Sequence, residues 1–236
     1  MPTAGNRNLL SFWAVFYYHI RMSVKLVIFD LDGTLIDSSV DITDAINYAV
    51  GPYRVAPVTV QEAISLVGEG ISRLMEKIIV KEGIEADRDF LTERFIFYYS
   101  AHLTDNTTVY PGVRETLSQL GAYRKAVVSN KRESLSIKTL EQLGLSEFMD
   151  IIVGSETVGE RKPSPLPVCH VLSVLGISPE EAVIVGDSNY DIEAGQSAGI
   201  KAVAVTYGYK PLDLLQGADF IINSMPELMD VLKRLS

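Results

Sequence analysis

From Val24 onward, short apolar β-branched runs alternate with longer amphipathic stretches. The runs are Val24–Phe29 (VKLVIF), Ala126–Val128, Ile151–Val153, Ala182–Val185, Lys201–Val205 and Phe220–Ile222. Runs this short and this apolar are expected of strands covered on both faces of a parallel sheet. Between the last five lie helix-like segments at 133–143, 165–176, 190–198 and 211–216, with Gly144 and Gly176 marking two helix ends. Repeated strand–helix alternation predicts a doubly wound α/β fold with a parallel sheet.

The first run breaks this rhythm, because about 90 residues separate it from the next buried strand. Residues 37–109 show no strand pattern but several helical ones, at 40–50, 60–82 and 88–103. The 60–82 stretch is periodic on either side of Gly68-Glu69-Gly70, which predicts two helices joined at that tripeptide. An all-helical insertion of this size reads as a small second domain, a cap. The predicted division is an N-terminal extension at 1–21, an α/β core at 22–36 plus 110–236, and a helical cap at 37–109. The links fall near Asp37–Ser39 and Thr108–Gly112.

Within the extension, Leu9–Ile20 is an apolar run of 12 residues. As a helix it would span about 18 Å, short of the roughly 30 Å hydrocarbon core. No small-residue cleavage pattern follows it, so neither a membrane span nor a secretory leader is expected.

Composition narrows the function. Apolar residues make up 47% and charged residues 22% of the 236, and the formal net charge is -9. So acidic a surface repels nucleic acid and anionic lipid, which argues against both as partners. A phosphorylated substrate would need its cations supplied locally. The single cysteine, Cys169, excludes an intramolecular disulfide and a cysteine zinc site, and it fits a reducing, cytoplasmic setting. Beside His170 it is expected to be a buried small apolar residue rather than a nucleophile, since sequence neighbours on a helix do not face each other.

Ligands of open α/β sheets bind beyond the carboxyl ends of the strands. The polar residues that end the apolar runs are therefore the candidates: Asp30 and Asp32, then Ser129-Asn130, then Lys162, then Asp187 with Asp191 four residues on. Close carboxylates repel unless a cation or proton intervenes. Three of them on one rim suit Mg2+, which takes few carboxylates and bridges to phosphate. One carboxylate would then act as nucleophile and a second as acid and base. Ser129 would hold phosphoryl oxygens, and Lys162 would offset the charge that builds on the transferring group. Taken singly, Asp32-Gly33 is a turn dipeptide and Ser129 a helix cap. Their order at four strand ends is what points to a site.

These segments resemble the four motifs of the haloacid dehalogenase superfamily. The match runs through Phe29-Asp30-Leu31-Asp32-Gly33-Thr34-Leu35, Val128-Ser129-Asn130, Lys162-Pro163 and Gly186-Asp187-Ser188-Asn189-Tyr190-Asp191, and the likeness covers about residues 24–236. The resemblance implies a Rossmann-like core with a cap that closes over the site. It implies Asp30 as nucleophile and Asp32 as acid/base. Mg2+ would be held by Asp30, the backbone carbonyl of Asp32, and Asp187, while Asp191 would orient Lys162 or metal-bound water. The second acid, Asp32, favours phosphoryl transfer over dehalogenation.

Finer features resemble phosphoglycolate phosphatases: Val67-Gly68-Glu69-Gly70, Tyr110-Pro111-Gly112-Val113, Ser129-Asn130-Lys131 and Tyr207-Gly208-Tyr209. Ser129 and Arg161 stand where that subgroup usually has Thr and Gly. In such a cap, Glu69 and Arg73 are expected near the leaving group. The expected reaction is hydrolysis of a small phosphorylated metabolite by a monomer or homodimer. The alternatives are a phosphosugar mutase of the same fold and a non-enzymatic phospho-acceptor or binding module.

Overall fold

The structure, a computed structural model, describes residues 23–235. In chain order the elements are β1 (Leu26–Phe29), β2 (Ile36–Asp37), α1 (Ser39–Val50), α2 (Val60–Leu66), α3 (Ile71–Glu82), α4 (Arg88–Ala101), β3 (Thr108–Val109), α5 (Val113–Gln119) and β4 (Arg124–Val128). There follow α6 (Glu133–Gln142), β5 (Ile151–Val153), α7 (Leu166–Leu175), β6 (Ala182–Gly186), α8 (Asn189–Ser197), β7 (Lys201–Val205), β8 (Phe220–Ile222) and α9 (Leu228–Leu235). Six strands form one sheet in the order β5-β4-β1-β6-β7-β8. Every pairing in it is parallel. After β1 the chain builds outward through β4 and β5, then returns to the other side of β1 for β6. That reversal opens a crevice beyond the carboxyl ends of β4, β1 and β6.

Successive strand residues face opposite sides of the sheet, and both sides are covered. Val27, Phe29, Val127, Val185 and Val203 pack with Leu117 of α5, Leu140 of α6 and Leu232 of α9. Leu26, Ile28, Ala126 and Ile184 pack with Val168 of α7 and Ile192 of α8. All four residues of β1 are fully buried. At about 1.5–3 kcal/mol for each fully buried large side chain, this strand is a firm anchor for whatever follows it.

Helices α1 to α4 form a third apolar cluster around Ile46, Met75, Leu91 and Phe95, joined by Leu135 from α6. As the periodicity predicts, α2 and α3 meet at Gly68-Glu69-Gly70. Both glycines take positive φ, +126° and +83°, which a side chain would resist. At the start of α2 the Thr59 hydroxyl accepts from the Glu62 N–H, while the Glu62 carboxylate accepts from the Thr59 N–H.

The sequence pattern misses a short ribbon. β2 and β3 pair antiparallel, Ile36 opposite Val109 and Asp37 opposite Thr108, so the chain enters and leaves the helical insert side by side. Two-residue strands carry no periodicity to detect. Two further expectations need correction. The 211–216 segment is a 3-10 turn at Leu212–Leu215. Cys169 is exposed, not buried, because α7 turns Val168, Val171 and Leu172 to the sheet and leaves Cys169 on its outer side. The expectations for Leu9–Ile20 lie outside the described residues.

Candidate active site

Asp30 follows β1 directly, and its N–H still donates to the Val185 carbonyl at 2.9 Å. The first carboxylate thus sits on the rigid end of the central strand. The chain then curls tightly, with Leu35 N–H donating to Leu31 O at 2.9 Å and Gly33 N–H to Ile36 O at 2.8 Å. Gly33 has φ +88°, and a Cβ there would run into the Asp187 carboxylate. Glycine therefore lets the curl bring Asp30 and Asp32 beside the end of β6.

Carboxylate oxygens of Asp30, Asp187 and Asp191 lie within 4.8 Å of one another. Lys162 reaches this cluster with all three donors satisfied. Its ammonium pairs with Asp191 at 2.6 Å and Asp30 at 2.8 Å, and donates to the Val128 carbonyl at 2.6 Å. Burial opposes that charge, but Asp191 and Asp30 more than compensate and hold the ammonium above its usual range. Asp191 also accepts from the Ser188 N–H and hydroxyl, at 3.1 and 2.6 Å, which fixes its orientation.

The two remaining acids are less well matched. Burial pushes Asp30 up to about 7, against the pull of Lys162 and with Asp191 adding repulsion. Asp187 has no ammonium partner among the described residues and accepts from Tyr209 N–H at 2.6 Å. Burial, then the charges of Asp30 and Asp191, push it up to about 8. A rim with this surplus of negative charge fits a divalent cation, which oxygen donors of this kind hold.

Asp32 is set apart from that cluster. Its side chain accepts from Ser38 Oγ at 2.5 Å and Lys131 Nζ at 2.8 Å. Lys131 is itself buried and lies over the Tyr99 ring, 4.9 Å from its centre.

The same cavity gathers Asp30, Asp32, Ser129, Lys162 and Asp187, the residues the strand ends single out. Asn130 also lines it, but its carboxamide is otherwise occupied. Nδ2 donates to the carbonyls of Gly68 and Lys162, at 2.7 and 2.9 Å, and Oδ1 accepts from Lys162 N–H at 2.9 Å. This side chain ties the Lys162 loop to the insert, so a side-chain contact to phosphate is not what the geometry gives.

Glu69 and Arg73 do not line the cavity. Glu69 is drawn to Lys77, Arg73 and the Tyr190 hydroxyl, and Arg73 pairs with Glu76. Opposite charges along α3 draw both away from the cavity. Arg161 is exposed and lies against Gly70, outside this cavity. Sequence reasoning gave no role to Lys131, Tyr99, Ser38 or Tyr209. Lys131 had a usable signal, being the next residue after Ser129-Asn130; Tyr99 had none, because an aromatic on a helix reads as core.

Comparison with known proteins adds the following. Residues 27–205 match the model of the haloacid dehalogenase-like hydrolase family. A phosphoglycolate phosphatase of Chromobacterium violaceum is 43% identical over 216 residues, covering 89% of this chain and 97% of that protein. One from Aquifex aeolicus is 37% identical, with the same coverage of each chain. The crystal structure of a predicted phosphoglycolate phosphatase from Haemophilus somnus superposes with a TM-score of 0.83 at 29% identity, covering 88% of this chain and 97% of that one.

Proposed function

Because the chain belongs to the haloacid dehalogenase-like hydrolase family, we propose that it is a magnesium-dependent phosphatase acting on phosphoglycolate through an aspartyl-phosphate on Asp30. The observation that carries this reading is the position of Asp30. It ends the central strand 2.8 Å from Lys162, with Asp32 two residues on and held apart from the acidic cluster. The substrate is suggested by the activity for which the relatives in Chromobacterium and Aquifex are named.

In the first half-reaction an Asp30 oxygen forms a bond to phosphorus as the phosphorus–alkoxide bond breaks. Asp32 gives its proton to the departing oxygen, so the alcohol leaves neutral. In the second, Asp32 takes a proton from water, the hydroxyl adds to phosphorus, and the bond to Asp30 breaks to release phosphate. Lys162 offsets charge on the phosphoryl oxygens, and Ser129 donates its hydroxyl to them. Asp30, Asp187 and the backbone carbonyl of Asp32 would hold Mg2+, which would supply positive charge for the incoming phosphate. The helical insert acts as a cap that keeps bulk water from the site. The apolar walls at Ile42, Leu74 and Phe95 offer few partners for sugar hydroxyls, which disfavours the mutase alternative. An exposed, unpaired Cys169 suits a cytoplasmic setting.

Asp30→Asn should abolish hydrolysis of phosphoglycolate and of p-nitrophenyl phosphate. EDTA should do the same, reversibly on addition of Mg2+. Activity surviving either treatment would overturn the nucleophile or the metal assignment.

A further inference from the structure

The cavity wall contributed by the insert is apolar except at one point. Tyr99, on α4, is 1% exposed, and its hydroxyl has no hydrogen-bond partner among the described residues. A buried hydroxyl left unpaired costs free energy, so such groups call for an explanation. Burial pushes the phenol up to about 12, which leaves it a proton donor at neutral pH. Asp32, Lys131 and Ser38 are its polar neighbours, so it stands beside the acid proposed to protonate the leaving group.

Three lysines also line the cavity, and two are spent. Lys162 gives its three donors to Asp30, Asp191 and the Val128 carbonyl. Lys210 donates to the carbonyls of Val67 and Ile64 at the end of α2, at 2.7 and 3.3 Å, so it caps that helix from the core. Lys131 makes one carboxylate bond, to Asp32, while the rest of its ammonium lies against Tyr99. With three donors it has capacity for a second acceptor.

We infer that Tyr99 and Lys131 form a leaving-group subsite that takes a short carboxylate, making Tyr99 a specificity-determining residue contributed by the helical insert. The inference rests on the phosphatase reading and adds to it the chemistry by which one alcohol is chosen over another. A carboxylate one carbon from the ester oxygen would satisfy the orphan hydroxyl and the spare ammonium donor together. Ile42, Leu74 and Phe95, which line the same cavity, would lie beside its single methylene.

The test compares kcat/KM for phosphoglycolate with that for 2-hydroxyethyl phosphate, which has the same length and no carboxylate, in the wild-type chain and in Tyr99→Phe. Loss of a hydrogen bond to a charged group predicts that the variant's preference for phosphoglycolate falls roughly 10- to 100-fold. The wild type alone should prefer phosphoglycolate, and glycolate should inhibit it competitively more tightly than it inhibits the variant. Tyr99→Phe removes only an unpartnered hydroxyl, so its Tm should match or exceed that of the wild type. An enzyme that hydrolyses 2-hydroxyethyl phosphate as well as phosphoglycolate, or a preference untouched by Tyr99→Phe, would overturn the subsite while leaving the phosphatase intact. If no phosphate monoester is hydrolysed with Mg2+ present, the underlying reading and the subsite fall together.

Discussion

Asp187→Asn should stabilise the metal-free protein while destroying its activity. Asp187 is 3% exposed, shares its surroundings with two other carboxylates and, among the described residues, has only a backbone N–H as partner. Its carboxyl, held at about 8 in the fold against 3.8 in the unfolded chain, binds a proton in the native state that the unfolded state has released. Between those values the native state holds the extra proton, so the unfolding free energy falls as pH rises and the full penalty stands above pH 8. Fully developed, a displacement of that size corresponds to roughly 6 kcal/mol. Asp30 shares the same repulsion, so one substitution recovers about half, on the order of 2–3 kcal/mol. For a chain of this size that is about 5–10 °C in Tm.

Asparagine keeps an oxygen for Tyr209 N–H, so the geometry survives the change. Thermal unfolding in EDTA should therefore show Asp187→Asn above the wild type at pH 8.5, with the gap narrowing at pH 5. Added Mg2+ should raise the wild-type Tm and leave that of the variant unmoved. A variant that is folded by circular dichroism yet melts below the wild type at pH 8.5 in EDTA would refute the argument. Asp187 would then be a satisfied structural acid.

Asp32→Asn should slow phosphoglycolate hydrolysis far more than p-nitrophenyl phosphate hydrolysis, because nitrophenolate leaves without a proton; equal losses in steady-state kcat would contradict the acid role. Asn130→Ala removes three hydrogen bonds, one to the insert and two to Lys162. It should cost about 2–3 kcal/mol in urea unfolding and lower kcat together with it. Gly208→Ala would push a methyl group into Asp187 and the Gly33 carbonyl. Overpacking of this kind costs about 1–3 kcal/mol, and calorimetric titration should show weakened Mg2+ binding.

The sheet and the loop that carries Asp30 and Asp32 were legible in the sequence because each rests on local regularities. Buried parallel strands write continuous apolar runs, and the polar residue ending each run faces the same crevice. The joint at Gly68-Glu69-Gly70 was legible for a similar reason, as a break between two periodic stretches. What the sequence could not show depends on contacts between distant segments. Lys131 finds Asp32 from 99 residues away, and Tyr99 reaches the cavity from a helix whose pattern fits ordinary core packing. Glu69 and Arg73 lie outside the cavity because charges within α3, Lys77 for Glu69 and Glu76 for Arg73, draw them along the helix. Cys169 was judged by residue type, whereas its helix face decided its exposure.

The β2–β3 ribbon has a wider consequence. Because Ile36 faces Val109 across one rung, some seventy residues depart from the sheet and come back to nearly the same point. The excursion is thus a detachable fitting, and the ribbon is its socket. On the proposed mechanism, phosphorus chemistry would be handled on one side of that socket, and the choice of alcohol on the other. A lineage that exchanged the helices beyond Asp37 could acquire a new substrate while Asp30, Lys162 and Asp187 stayed untouched.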